Sequence, residues 1–332
     1  MSLQAGIVGL PNVGKSTLFN ALTAAGADSA NYPFCTIEPN VGVVAVPDVR
    51  LHRLNTCQKT EKILPAMVEM VDIAGLVRGA SKGEGLGNQF LGHIRAVDAI
   101  LHVVRCFEST DIVHVDDSVD PIRDIDTILT ELVLADLDSV EKRIKRYGKM
   151  ARNNKEAAFH HEVAEKMRAW LDEGNLIQTM EATDEEKVSI NDAQLITTLP
   201  MLLICNVDEE GVVEGNEHTA KVQAYAAEHG MGCVSICAQV ESEIGELEEE
   251  ERTAFLEDLG MSEPGLATLA RETYELLGLM TYFTCGPKEI RAWTIHQGDT
   301  APVAAGAARG ALSPGHAATG GAEPRFRRYR GR

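Results

Sequence analysis

The sequence predicts an α/β fold with a doubly wound, mostly parallel sheet, and three observations carry that prediction. Short apolar runs typical of buried strands alternate with helical segments along most of the chain. A glycine-rich motif of the form G-x-x-x-x-G-K-[ST] lies between the first apolar run and the first helix. A long stretch of helical periodicity then interrupts the alternation before it resumes, which predicts an inserted helical domain.

Composition indicates a globular chain with a strong acidic bias. The chain has 332 residues and a formal net charge of −19 at pH 7. That charge argues against general nucleic-acid binding, so such contacts must be local, and no specific DNA binding is expected. We expect no signal peptide and no membrane span. The seven scattered cysteines are typical of reduced thiols in a cytoplasmic protein, and their spacing does not predict a zinc site.

The glycine-rich motif at residues 9–17 follows the apolar run 5–8 and begins a helix. This strand–loop–helix context identifies a P-loop, in which backbone N–H groups and the helix N-terminus converge on phosphate. We expect Lys15 to reach the β- and γ-phosphates and the Ser16 hydroxyl to bind Mg²⁺.

Two further segments predict the rest of a nucleotide switch. Thr36 lies in a loop before the predicted strand 41–46, where a P-loop switch places its second Mg²⁺ hydroxyl. The predicted strand 66–71 ends in Asp72-Ile-Ala-Gly75, so Asp72 should hold the Mg²⁺ shell and the Gly75 N–H should meet the γ-phosphate. Leu76 stands where Ras-type switches carry a glutamine, so hydrolysis is slow or another group orients the water. The glycine-rich segment 79–87 has the freedom to order with triphosphate.

The strand at 200–205 ends in Asn206-Val-Asp-Glu209, where GTPases carry N-K-x-D. The aspartate of that motif accepts hydrogen bonds from guanine N1–H and the 2-amino group. Glu209 replaces it here, and Asn206 could pair with adenine N6 and N7. The pattern favours ATP and leaves a GTP-preferring switch open.

Residues 124–170 have the pattern of a helical hairpin, because apolar side chains recur every three or four positions. The hairpin carries basic residues within 142–155, and these either contact phosphates or form a solvated helix face. The acidic segment 241–251 is expected to be a solvated helix.

Four motifs together resemble the YchF subfamily of Obg-like ATPases, and the resemblance covers roughly the first nine-tenths of the chain. They are residues 9–17, 31–40, 72–90 and 206–209, and the likeness continues through 279–284 and 289–295. The resemblance implies a cytoplasmic, ribosome-associated ATPase of translation and stress regulation. It also implies a P-loop domain at 1–127 and 193–276, a helical insert at 128–192 and a carboxyl-terminal TGS domain from about 277.

The resemblance also assigns site residues. Phosphate binding falls to Asn12, Val13, Gly14, Lys15, Ser16 and Thr17, and Mg²⁺ binding to Ser16 and Thr36, beside Asp72. Asn206 and the Val207 backbone are implied for base recognition, and His114 for hydrolysis, beside Lys15 and Gly75. Asn12 is typical of relatives that use K⁺. Ribosome or ribosomal RNA contacts are expected through the basic residues 142–155 and the TGS region.

The likeness stops near Gly306, where the chain becomes Ala/Gly/Pro-rich and then arginine-rich. We therefore expect a partial TGS domain at 277–306 and a disordered tail at 307–332. The strand at 289–295 is expected to lose its neighbours, which would impair partner binding there.

The favoured function is a slow ATPase that acts as a conformational switch. A P-loop small-molecule kinase is the alternative, but it has no use for D-x-x-G followed by a glycine-rich loop. A nucleotide-binding module without a working partner surface is a third possibility. Dimerisation stays open.

Overall fold

The computed structural model describes residues 3–27, 40–73, 86–109 and 118–311. Its strands are β1 Gln4–Val8, β2 Val41–Val46, β3 Lys62–Leu64, β4 Ala66–Asp72, β5 Ala99–Arg105, β6 Met201–Asn206, β7 Gly232–Ile236, β8 Leu279–Cys285 and β9 Glu289–His296. Its α-helices are α1 Lys15–Ala27, α2 Val49–Cys57, α3 Leu86–Ile94, α4 Pro121–Met150, α5 Lys155–Asp172, α6 Asp184–Asn191, α7 Glu209–Glu214, α8 Glu217–Glu228, α9 Ala238–Glu246, α10 Glu249–Asp258, α11 Gly265–Leu276 and α12 Ala301–Ala311.

The main sheet has six strands in the order β2-β4-β1-β5-β6-β7. All of its neighbouring pairs are parallel except β2 with β4. Every residue of β5 and β6 is buried, which explains why their sequences are mostly apolar, since helices cover both faces of such a sheet. The predicted mostly parallel α/β fold is confirmed. The carboxyl ends of the parallel strands β1, β4 and β6 lie at one edge of the sheet, where parallel α/β sheets bind ligands.

Helices α4 and α5 pack against each other as the predicted hairpin, with Val140, Val163 and Met167 buried. The Asp120 and Asn154 side chains cap the two helices. The expected insert boundary at residue 128 falls inside α4, because this helix starts at Pro121 and continues unbroken to Met150. Helix α4 also packs against strand β5 and helix α8, and the Tyr225 hydroxyl of α8 donates to the Asp126 carboxylate near the start of α4 at 3.0 Å.

A buried carboxylate joins α4 to the chain that re-enters the sheet. Asp136 is fully buried and accepts hydrogen bonds from the backbone N–H groups of Ile196 (3.0 Å) and Thr197 (2.7 Å). The Thr197 hydroxyl donates a third, at 2.8 Å. These three hydrogen bonds to the Asp136 carboxylate hold the short 3-10 helix Ile196–Thr198 in place just before β6.

The second sheet has the order β3-β9-β8, so β9 is its central strand. The expectation that residues 289–295 lose their neighbours is therefore wrong. β8 pairs with β9 in an antiparallel hairpin, and β3, which the sequence analysis missed, pairs in parallel through Ile63 and Ile290. The small sheet thus takes one strand from the first hundred residues of the chain.

Two local expectations also differ from the structure. Helix α12 reaches Ala311 and so includes residues 307–311, which were assigned to the disordered tail; alanine has the highest intrinsic helix propensity. Within the acidic segment, Glu241 is buried rather than solvated, and it accepts from the N–H groups of Gly265 (2.6 Å) and Leu266 (3.2 Å). The α11 N-cap, Pro264, offers no side-chain hydrogen bond, and a carboxylate satisfies that positive helix end.

Candidate nucleotide site

The P-loop joins β1 to α1 in the strand–loop–helix arrangement that the sequence predicts. Asn12 and Gly14 have φ angles of 63° and 96°, in the left-handed region that favours glycine. A Cβ on Gly14 would overlap the Asn206 amide nitrogen, and one on Gly9 would lie 2.5 Å from the Val103 carbonyl oxygen. Glycine at these two positions therefore serves close packing as well as loop conformation.

Lys15 begins α1, and its ammonium group rests on its own loop. Lys15 Nζ donates to the Leu10 carbonyl oxygen at 2.6 Å. Burial lowers the pKa of Lys15 to about 8, and the nearby Asp72 carboxylate opposes that shift. A bound phosphate would give this desolvated cation a stronger partner than a neutral carbonyl.

His102 lies beneath the P-loop, on β5 in register with Val8. The side chain is buried, and in the described part of the molecule its Nδ1 has no hydrogen-bond partner. Burial, with a smaller contribution from the Lys15 charge, lowers the pKa of His102 to about 3. The imidazole is therefore neutral and adds no second positive charge behind the lysine.

Asp72 ends β4 in register with Ile7 of β1, which places its carboxylate beside Lys15. Burial raises the pKa of Asp72, and the Lys15 ammonium opposes this rise. Ser16 is exposed in the first turn of α1. The described residues contain no group of three or more His, Cys, Asp or Glu side chains able to hold a metal. One hydroxyl and one carboxylate nevertheless fit Mg²⁺, which keeps waters and phosphate oxygens as its other ligands.

Several predicted site residues lie outside the described residues. They are Thr36, Gly75, Leu76 and His114, together with most of the glycine-rich segment 79–87. Residues 86 and 87 of that segment form the start of α3.

Asn206, at the end of β6, links the P-loop to the start of α9 through the two ends of its amide. Its Nδ2 donates to the Val13 carbonyl oxygen at 2.9 Å, and its Oδ1 accepts from the Ala238 backbone N–H at 3.1 Å. The side chain is 6% exposed. The predicted pairing with adenine N6 and N7 stays a prediction, and it could use only the second N–H and second lone pair of the amide.

The next residues of this loop are held by the backbone around them. Val207 is buried, and its N–H donates to the Ile236 carbonyl oxygen at 2.9 Å. The Asp208 carboxylate caps α7 by accepting from the Gly211 N–H at 2.9 Å. Glu209, the first residue of α7, is exposed. The carboxylate of Asp208 is thus engaged in helix capping.

The P-loop and the 206–209 loop line one cavity of about 600 Å³, a volume typical of small-molecule sites. The lining also includes residues that belong to none of the sequence motifs: Phe107, Cys237, Gln239, Val240 and Glu243. The buried Arg105 guanidinium stacks 4.6 Å from the Phe107 ring centre, and Arg105 Nε donates to the Phe107 carbonyl oxygen at 3.1 Å. This packing fixes one aromatic wall of the cavity.

Comparison with known proteins identifies the family to which this site belongs. The sequence model of a protein family described as 50S ribosome-binding GTPase matches residues 4–136. The ribosome-binding ATPase YchF of Bacillus subtilis is 53% identical over 309 residues, which cover 92% of this chain and 84% of that protein. This chain belongs to the YchF family.

Two further YchF proteins extend the match. The ribosome-binding ATPase YchF of Haemophilus influenzae is 56% identical over 306 residues, with the same shares of both chains covered. The structure of the Schizosaccharomyces pombe YchF GTPase has a TM-score of 0.84 at 36% identity and covers 93% of this chain and 84% of its own. A model of the YchF GTPase carboxyl-terminal domain, described as a protein of unknown function, matches residues 279–315. That match continues past Gly306, where the resemblance was expected to stop.

The basic residues of the YchF hairpin are partly engaged with their own chain. Arg143 donates to the carbonyl oxygens of Ser189 (3.1 Å) and Asp192 (3.3 Å), so it supports α6. Lys142 and Lys145 pair with carboxylates one helical turn earlier. The exposed basic residues of this stretch also include Arg146, Lys149, Arg152 and Lys155. Among the helices described, none is long and apolar enough to cross a membrane.

Proposed function

We propose that this chain is a ribosome-binding, Mg²⁺-dependent ATPase that works as a conformational switch in the cytoplasm. One observation carries the nucleotide part of the proposal: the P-loop and the altered base loop at 206–209 line a single cavity. Its B. subtilis and H. influenzae relatives carry the name ribosome-binding ATPase.

The base loop supports ATP over GTP. Guanine presents two donors, N1–H and the 2-amino group. The carboxylate at the fourth position of N-K-x-D accepts hydrogen bonds from both. Here that position is Glu209, the exposed first residue of α7, and the neighbouring Asp208 carboxylate already caps the same helix. Adenine has no 2-amino group and needs no such carboxylate. We assign base contacts to Asn206 and to the buried Val207 backbone.

GTP is the second candidate substrate of the same site. It is favoured by the family model that describes 50S ribosome-binding GTPases and by the S. pombe relative, which is named a GTPase. Both candidates share the P-loop chemistry and differ only in the base.

The phosphate end of the cavity would carry the chemistry. Asn12, Val13, Gly14, Lys15, Ser16 and Thr17 would hold the phosphates through backbone N–H groups and the α1 N-terminus. Lys15 would leave the Leu10 carbonyl oxygen for the β- and γ-phosphates. Ser16, Thr36 and Asp72 would hold Mg²⁺, which supplies neutralisation of the phosphate charge when bound. We assign a K⁺ contact to Asn12.

Hydrolysis would depend on positioning and electrostatics. Lys15 and the Gly75 N–H are proposed to stabilise the transferring phosphoryl group, and His114 to orient or deprotonate the attacking water. With Leu76 in place of glutamine, the intrinsic rate should be low.

For the partner contact we propose the helical insert at 128–192 and the TGS region at 277–306, joined to a P-loop domain at 1–127 and 193–276. The exposed Arg146, Lys149 and Arg152 would meet ribosomal RNA phosphates. Arg146→Glu, Lys149→Glu and Arg152→Glu together should weaken ribosome co-sedimentation, whereas Lys187→Glu on α6 should not. If both variants co-sedimented with ribosomes equally well, the helical insert would not be the ribosome contact.

Titration with ATP and GTP in the presence of Mg²⁺ tests the nucleotide assignment. ATP should bind at least about tenfold more tightly, a difference of about 1.4 kcal/mol. A preference for GTP would keep the fold and the P-loop roles but make the protein a GTPase.

A further inference from the structure

The small sheet has two edge strands, and they differ in how they present themselves to other chains. One edge strand, β3, has only three residues and carries the exposed Lys62. A short edge and a lysine are two of the ways in which native proteins prevent edge-to-edge pairing. The other edge strand, β8, has seven residues, LMTYFTC, and contains no charged residue, proline or glycine. Its composition favours strand pairing.

The hydrogen bonds at the two ends of the β8–β9 hairpin show which backbone groups of β8 point away from β9. At one end, the Gln297 N–H donates to the Gly278 carbonyl oxygen at 2.9 Å. At the other end, the Gly286 N–H donates to the Glu289 carbonyl oxygen at 2.9 Å. Both pairs continue the register of the hairpin, and hydrogen-bonded pairs alternate along an antiparallel ladder. The even-numbered residues of β8 therefore bond to β9, and the odd-numbered residues turn their N–H and C=O groups away from it.

The outward groups form what we call the free edge of β8, which consists of the backbone N–H and C=O groups of Leu279, Thr281, Phe283 and Cys285. Within the part of the chain that the structure describes, these groups have no hydrogen-bond partner, and no strand pairs with this edge. Solvent reaches the strand, since the Met280 side chain is 44% exposed and Thr284 is also exposed. A strand edge of this kind is a template for a further strand.

Helices on both faces of the hairpin hold β8 in position. On one face, the Thr281 hydroxyl donates to the Tyr274 hydroxyl of α11 at 3.0 Å. On the other face, the Tyr282 hydroxyl donates to the Ala304 carbonyl oxygen of α12 at 2.6 Å. The free edge is therefore preorganised, and a strand that pairs with it need not first order β8.

We propose that the free edge of β8 pairs with the free edge of β8 in a second copy of this chain. Two copies of one strand are complementary in the antiparallel direction, because a two-fold axis matches each outward N–H with an outward C=O. With the axis at Tyr282, all seven residues of the strand are paired. Thr281 then exchanges two hydrogen bonds with Phe283 of the partner copy. The two small sheets become one continuous sheet.

The lack of charge on β8 favours a second copy as the occupant of this edge. Each chain has a formal net charge of −19 at pH 7, so two copies repel each other on average. Contact through β8 sets no like charges against each other, because the strand has no charged side chain. A strongly basic partner would gain nothing from this uncharged strand and would be attracted to acidic surfaces instead.

Two double variants test the contact and its register. In the proposed pairing, Met280 lies opposite Thr284 of the partner copy, in a pair without backbone hydrogen bonds, where side chains approach most closely. Met280→Glu with Thr284→Glu sets glutamate against glutamate twice and should weaken dimerisation at least about tenfold. Met280→Lys with Thr284→Glu sets lysine against glutamate twice and should dimerise at least as tightly as wild type.

The two double variants are matched, since both replace the Thr284 hydroxyl that accepts from Trp293 Nε1 at 2.9 Å. Their thermal midpoints should therefore lie within a few degrees of each other. The Glu–Glu variant also adds two negative charges to the chain. Val188→Glu with Val213→Glu adds the same charge at exposed positions of α6 and α7 and should leave dimerisation unchanged.

Sedimentation velocity of the full chain between about 1 and 100 µM, a range suited to a contact of modest area, measures the association. The average mass should rise from 36.0 kDa towards twice that value. Hydrogen exchange tests the edge itself without any substitution. The Thr281 and Phe283 amides should exchange more slowly as the concentration rises, whereas the amides of Tyr282, which face β9, should not change.

Three results would overturn the proposal. The chain could remain a monomer over the whole range, or the Glu–Glu and Lys–Glu variants could dimerise equally. The Thr281 and Phe283 amides could also be protected to the same extent at every concentration, which would mean that another segment of the same chain covers the edge. Dimerisation that the Glu–Glu variant alone loses, with protection that depends on concentration, would support pairing through β8.

Discussion

Removal of the Asn206 amide should damage both stability and nucleotide binding. Asn206→Ala leaves the Val13 carbonyl oxygen and the Ala238 N–H without their partners, which lie at 2.9 and 3.1 Å. Each buried polar group left unpaired costs about 1–3 kcal/mol. Water entering from the adjoining cavity would recover part of this, so we expect a loss of about 2–4 kcal/mol in the free energy of unfolding.

The same substitution should weaken ATP and GTP alike. The Val13 carbonyl helps to set the path of the P-loop, and both nucleotides depend on that loop through their phosphates. We expect each affinity to fall at least about tenfold, because N–H groups displaced by even 1 Å lose much of their phosphate contact. Urea unfolding measures the first effect, and titration with each nucleotide measures the second.

Gln239→Ala is the matched control, because Gln239 lines the same cavity but is exposed and bonds only to Glu243 among its described side-chain contacts. Its unfolding free energy should stay within about 0.5 kcal/mol of wild type. If Asn206→Ala lost ATP binding alone, with GTP binding and stability intact, the bracing role would be refuted and only the proposed contact of the amide with adenine would remain.

Three other perturbations test the electrostatics of the fold. Without nucleotide, the pKa of Lys15 is about 8, and a bound phosphate favours its protonated form. ATP affinity should therefore fall about tenfold per pH unit above pH 8. The Lys15→Arg variant should lack this dependence of affinity on pH, because arginine stays protonated. Asp136→Ala should cost about 2–4 kcal/mol in urea unfolding, whereas Asp138→Ala at an exposed ion pair should cost less than about 1 kcal/mol; equal costs would contradict the buried brace. Glu241→Ala should lower the free energy of unfolding by about 1–3 kcal/mol. Relative to wild type, amide hydrogen exchange should accelerate most at the start of α11, and unchanged exchange there would argue against the capping role.

The elements that the sequence predicted well are those whose signal is local. The P-loop motif, the apolar runs of β1, β5 and β6, and the three-to-four-residue periodicity of the hairpin each lie within one segment. β3 was missed because it has three residues, only one of them buried, and its partner β9 lies more than two hundred positions away. Short runs without a local partner leave no periodic pattern to detect.

The bracing roles were beyond sequence analysis for a related reason. Asn206 was predicted to bind the base because a motif comparison considers only the residues around it. Its contact with Val13 follows from the strand order β1-β5-β6, which places the end of β6 near the P-loop. Glu241 lies in an acidic run whose other members are mostly exposed, and only the docking of α11 distinguishes it.

Asn206 and Lys15 together explain how the site could be ready for nucleotide before it binds. The amide holds the Val13 carbonyl and the start of α9 in place, so the loop conformation does not depend on bound phosphate. Lys15 makes a hydrogen bond to Leu10, which a phosphate can replace directly. Binding then needs little ordering of this loop, and preorganisation of that kind leaves more of the interaction energy as affinity. Since the brace already uses one N–H and one lone pair of the Asn206 amide, the proposed reading of the base must rely on the remaining N–H and lone pair and on the Val207 backbone.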